Sequence, residues 1–123
     1  MRVITAPARM ERREKAENAF ARLAEVPPER LAAFLDARLG EKLSVNAEQA
    51  PRLAAANLAH AKRLHELAAA DDGVRAKARA LRQANDLHEA DLRAILTPEQ
   101  FARYQEMKAQ LREALEAGAT DRP

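Results

Sequence analysis

Two helix-start signals of one design stand 51 residues apart in this 123-residue chain, and they constrain the fold more than any other feature. The first is Val45-Asn46-Ala47-Glu48-Gln49 and the second is Leu96-Thr97-Pro98-Glu99-Gln100. In each, Asn46 or Thr97 is placed to act as N-cap, its side-chain oxygen accepting an otherwise orphaned amide proton of the first turn. Gln49 or Gln100, three residues on, reaches back to the N–H of the cap and completes a capping box. Pro98 stands at the first helical position, where a missing N–H costs nothing. A long Ala- and Leu-rich segment follows each box. Two helices therefore begin at equivalent points.

Composition supports helices throughout. Alanine makes up about a quarter of the chain, there are three glycines, and aromatic residues amount to 3%. Such a profile favours helix over strand and gives an all-α expectation of four to five helices in one domain over residues 1–123. Residues 1–7 and 118–123 are expected to be flexible. A core of Leu and Ala is thin and easily shared, which points to a homodimer. No apolar run is long enough to cross a bilayer, so membrane insertion is not expected. The net charge is +2, with Arg and Glu alternating along most helices, the pattern of solvated faces. Arg2, Arg9, Arg12, Arg13 and Lys15 crowd the N-terminus, but Glu11, Glu14 and Glu17 interleave with them. With no aromatic platform for bases, this argues against a nucleic-acid partner. Cysteine is absent, which excludes disulfides and thiolate chemistry.

The periodicity predicts a first helix from about Ala8 to Glu25, ended by Val26-Pro27-Pro28. A second follows from Glu29 to Leu39, with Gly40 as its stop. A third runs from Asn46 to about Ala70, with Pro51 within its first turns. Asp71-Asp72-Gly73 makes a turn in which an Asp caps helix four, so helices three and four form a central antiparallel hairpin. Helix four carries a seam of Val74, Ala78, Leu81, Asn85, His88, Leu92 and Ile95 at coiled-coil spacing. The fifth helix, from Thr97 to about Ala117, presents Phe101, Tyr104, Leu111 and Leu115, and Gly118 is its expected stop.

Polar residues interrupt these apolar lines. His60 falls on the line Leu53–His60–Leu67, and Asn57 lies one turn before it. Counting from the turn sets Asn57 and Asn85 at comparable heights, with His60 and His88 offset by about 7–8 Å at 1.5 Å per residue. Three readings stay open. The polar layer fixes helix register, as a buried Asn does in a coiled coil. Alternatively these positions are exposed. The third reading is a zinc or nickel site of His60, His88 and a carboxylate such as Glu89, although the spacings typical of helical metal sites are absent. His65 points to another face. A pH switch through the histidines rests on the same residues. Nothing suggests catalysis: there is no phosphate-cradling glycine loop and no nucleophile elbow, so the chain is not expected to be an enzyme.

Ala94-Ile95-Leu96-Thr97-Pro98-Glu99-Gln100-Phe101, with Tyr104 beyond, resembles the second LTxxQ motif of the Spy/CpxP family of bacterial envelope-stress proteins. Leu43-Ser44-Val45-Asn46-Ala47-Glu48-Gln49 resembles the first, with Asn in place of Thr. The resemblance spans about residues 36–115. It implies a Spy-like, cradle-shaped helical dimer. Its leading functional implication is an ATP-independent chaperone-like stress protein that binds unfolded or misfolded clients. Phe34, Leu35, Leu58 and Arg63 are the candidate client-facing residues, and Asn46, Gln49, Thr97, Pro98 and Gln100 fix helix starts. One alternative is a regulatory or metal-responsive accessory, docking on a sensor-protein domain or binding metal through His60 and His88. A cytosolic coiled-coil interaction module is another. The family implies a periplasmic location. Met1 to Pro7 carry no hydrophobic leader, so the expectation is periplasmic if a signal peptide was removed and cytoplasmic otherwise.

Overall fold

The computed structural model of the protein describes the backbone of residues 5–121 and the side chains of residues 11–110. It is all-α: five helices and, among the described residues, no strand. The helices are α1 (Thr5–Glu25), α2 (Pro28–Leu43), α3 (Gln49–Ala69), α4 (Val74–Ile95) and α5 (Pro98–Asp121). No described helix is long and apolar enough to cross a membrane. Residues 1–4, 122 and 123, and the side chains of Leu111 and Leu115, lie outside the described residues.

Helix α3 is the hub, packing against α1, α2 and α4, while α5 meets α2 and α4. Its buried residues Leu53, Ala56, Asn57, His60, Ala61 and Ala68 recur at three- and four-residue steps, forming one stripe. Small Ala side chains in that stripe let neighbouring helices approach. The apolar core gathers Leu39 and Leu43 from α2, Leu53 from α3, Leu92 from α4 and Leu96 just beyond it. Val45, Ile95, Phe101, Tyr104 and Met107 pack against this cluster.

Several boundaries depart from the expectation for physical reasons. Gly40 does not stop α2, which runs through it to Leu43. A glycine inside a helix costs about 0.5–1 kcal/mol. Carrying the helix one more turn buries Leu43 completely, worth roughly 1.5–3 kcal/mol, so the leucine wins. The left-handed residue is instead Ser44, at φ 54°, and both its N–H and that of Val45 donate to the Gly40 carbonyl. Likewise Gly118 does not end α5, which continues to Asp121, and α1 opens at Thr5 rather than Ala8. Asp71 and Asp72 do not cap α4. Gly73 holds the N-cap position without a side-chain bond, and Lys77 N–H donates to its carbonyl at 3.0 Å. Lys77 Nζ also donates to the Ala68 carbonyl at 2.8 Å, satisfying the open end of α3.

Both capping boxes form. Asn46 N–H donates to Gln49 Oε1 at 3.1 Å and Gln49 N–H donates to Asn46 Oδ1 at 2.8 Å. The second box has the same two bonds, Thr97 N–H to Gln100 Oε1 at 2.9 Å and Gln100 N–H to Thr97 Oγ1 at 3.2 Å. Helix α3 becomes regular only at Gln49, although the Ala50 N–H already donates to the Asn46 carbonyl at 3.0 Å. Pro51 has no N–H to offer the carbonyl one turn back, which delays the regular ladder. Thr97→Ala removes the acceptor for the Gln100 N–H and is expected to cost about 1 kcal/mol in urea unfolding. A loss near zero would mean that the box contributes nothing to α5.

Candidate functional site

The two boxes meet. Gln49 Nε2 donates to Gln100 Oε1 at 2.7 Å, and Gln100 Nε2 donates back to Gln49 Oε1 at 3.2 Å. Each amide also reaches a carbonyl at the end of the helix preceding the other box. Gln49 Nε2 donates to the Ile95 carbonyl at 3.1 Å, while Gln100 Nε2 donates to those of Leu43 at 3.1 Å and Ser44 at 3.4 Å. Ser44 and Ile95 stand at the same offset as the two glutamines, so the bonds repeat under an approximate two-fold relation. Gln49 is buried, and its oxygen and nitrogen are both used. The sequence expectation reached only to helix starts. The joint itself was missed, and the 51-residue repeat was its signal.

A second polar cluster sits where α2, α3 and α4 converge. Asn57 is completely buried on the α3 stripe. Its Nδ2 donates to Asp36 Oδ1 at 2.6 Å, so its Oδ1 faces His88 Nε2 at 2.9 Å. Because that oxygen only accepts, His88 carries its proton on Nε2. His60 and His88 stack face to face, ring centroids 4.1 Å apart and planes 8° from parallel. The expected offset of the two rings is therefore absent. Asn85 does not pair with Asn57; it is exposed, and Ala84 takes the buried position beside His88 and Leu92. A straight helix packing along its four-residue ridge selects 84, 88 and 92, where a coiled-coil seam would select 85.

Burial makes these histidines poor bases. The pKa of His60 is lowered to about 4, first by burial, then by the positive field of His88 and Arg63. That of His88 is also lowered to about 4, by burial and then by Arg63 and Lys108. Both rings are neutral at pH 7. In this arrangement the zinc or nickel expected at His60 and His88 would require one ring to turn out of the stack. Lone pairs lie in the ring planes, and parallel stacked planes aim them alongside each other instead of at one ion. Glu89, the carboxylate of that reading, is ion-paired with Lys108. Among the described residues no three His, Cys, Asp or Glu side chains converge.

The candidate client-facing residues separate. Phe34 and Leu35 border a groove that the imidazole pair also lines, together with Arg38, Tyr104 and Met107. Arg63 lines a different cavity, with Leu67, Ala84 and Leu87, and Leu58 is half-buried on α3. Phe34 is 58% exposed and Leu87 51%, the most open large apolar side chains among the described residues. Arg38, Tyr104, Met107 and Lys108 were missed because the groove exists only once α5 lies beside α2. Comparison with protein-family models, with curated proteins and with solved structures finds no match to this chain.

Proposed function

We propose that the protein is a nucleotide-independent, chaperone-like binder of unfolded or misfolded chains, built on the plan of the Spy/CpxP family. The observation that carries the reading is the reciprocal Gln49–Gln100 pair. A doubled LTxxQ-like motif is expected to set overall shape, and here both copies are consumed in a single joint between helix ends. On this reading α3 and α4 form the central antiparallel hairpin of a cradle-shaped homodimer, and the location is periplasmic by resemblance.

Client binding of this kind needs no catalytic group. Phe34, exposed beside the Arg38 guanidinium, and Leu87 on α4 offer separated apolar contacts on a charged helical surface. Apolar contact supplies weak affinity, and long-range attraction by Arg and Lys side chains speeds encounter. Scattered contacts let a client shift and fold while held.

The test is light scattering of a chemically denatured model protein diluted into buffer with this protein and without nucleotide. Suppressed aggregation at about one dimer per client is the expected result. A folded protein that leaves aggregation unchanged would overturn the reading and favour docking on a sensor-protein domain.

A further inference from the structure

The groove between α2 and α5 has features that weak client contact does not require. It encloses ≈ 490 Å³, within the roughly 300–1,000 Å³ typical of small-molecule sites. Phe34, Leu35 and Leu39 of α2 form one wall and Tyr104 and Met107 of α5 the other, with the stacked imidazoles of His60 and His88 also lining it. These walls are apolar, and burial raises the pKa of the Tyr104 phenol.

The polar groups are uneven. Arg38 and Lys108 line the groove, and none of its lining residues is acidic. Lys108 is ion-paired with Glu89. The Arg38 guanidinium lies 5.8 Å over the Phe34 ring and has no ion pair among the described residues. His60 is 6% exposed, yet its Nδ1 has no hydrogen-bond partner. That atom is closed to solvent, whereas Arg38 is exposed beside the groove and free to pair with an anion. Burial first, and then Arg63 and Lys108, lower the pKa of His88.

We propose that this groove binds a medium-chain carboxylate, its chain along Leu35, Leu39 and Met107 and its head group answering Arg38 at the rim. A neutral hydrocarbon would gain nothing from Arg38. A cationic amphiphile would meet Arg38 with like charge. The carboxylate gains a charge-assisted bond while its tail leaves water. Ligand binding of this kind needs only the folded protein, so it stands or falls apart from chaperone activity.

Calorimetric titration with decanoate, decanol and decyltrimethylammonium, each kept below its micelle-forming concentration, tests the assignment. Decanoate is expected to bind at least about tenfold more tightly than either of the others, the worth of one charge-assisted bond. Arg38 is exposed, so Arg38→Gln leaves the fold intact. It should bring decanoate down to the affinity of decanol while leaving decanol unchanged. Bound decanoate should also raise the NMR titration midpoints of His60 and His88, which an apolar ligand would not do. Equal binding of the three probes, no binding of decanoate, or an Arg38→Gln variant that keeps the preference would each overturn the proposal.

Discussion

Gln49→Ala is expected to lower the unfolding free energy by about 3 kcal/mol, a large part of the roughly 5–15 kcal/mol that holds a small domain together. The side chain accepts from the Asn46 N–H and donates to the Ile95 carbonyl and to Gln100 Oε1. Truncation takes that partner from all three and from the Gln100 amide that donates to Gln49 Oε1. Asn46 is exposed and Gln100 Oε1 keeps the Thr97 N–H, so the loss falls mainly on the Ile95 carbonyl and the Gln100 amide, at about 1–3 kcal/mol each less whatever water recovers. Volume is a smaller matter, which Gln49→Glu separates. Glutamate has nearly the same size but can only accept, so it sets a carboxylate against the Ile95 carbonyl and should be at least as damaging. The pair is isolated by a double-mutant cycle with Gln100→Ala, read by urea unfolding. A coupling of about 1 kcal/mol or more is expected for residues in one hydrogen-bond network. Additivity within about 0.5 kcal/mol would mean that the two motif copies do not meet in solution.

This joint also marks the limit of what the sequence reveals. Each capping box was legible because capping is local: the cap and its glutamine lie three residues apart and nothing distant is needed. That the two boxes would clasp is a tertiary fact, hinted at only by their repetition. Helix ends were least legible where burial overrode a breaker, as Leu43 did Gly40. His60 and His88 were rightly placed on apolar lines, but their spacing was misjudged. The choice between Ala84 and Asn85 as the buried α4 position depends on how α4 lies against α3, which periodicity alone does not fix. Asp36 carries no signal of its own. Its carboxylate matters because α2 brings it to Asn57, orienting the amide whose oxygen in turn fixes the His88 tautomer.

That chain of bonds makes the protein acid-sensitive in a defined window. Unfolded histidines take up protons around the ordinary value of 6.5, whereas folded His60 and His88 do so only at about 4. Between those limits the unfolded chain binds more protons, so acid favours unfolding. The stabilisation from neutral histidines is fully present above pH 6.5, is lost as pH falls towards about 4, and changes no further below that. A shift of this size is worth on the order of 3 kcal/mol per ring, with less than full additivity because the two rings repel once charged. Both rings are almost wholly shielded, at 6% and 4% exposure, so solvent screening does little to reduce the effect. Urea unfolding at neutral pH and at about pH 4 should therefore differ by several kcal/mol. The pair His60→Phe with His88→Gln should flatten the curve across that window, since the glutamine amide still donates to Asn57 and the phenylalanine fills the stack without a titrating group. NMR gives the sharper check, because each ring reports its own protonation. Folded-state midpoints near 6.5 for both rings would show that the stack is open to water, and the expected acid sensitivity would then have no source in these residues.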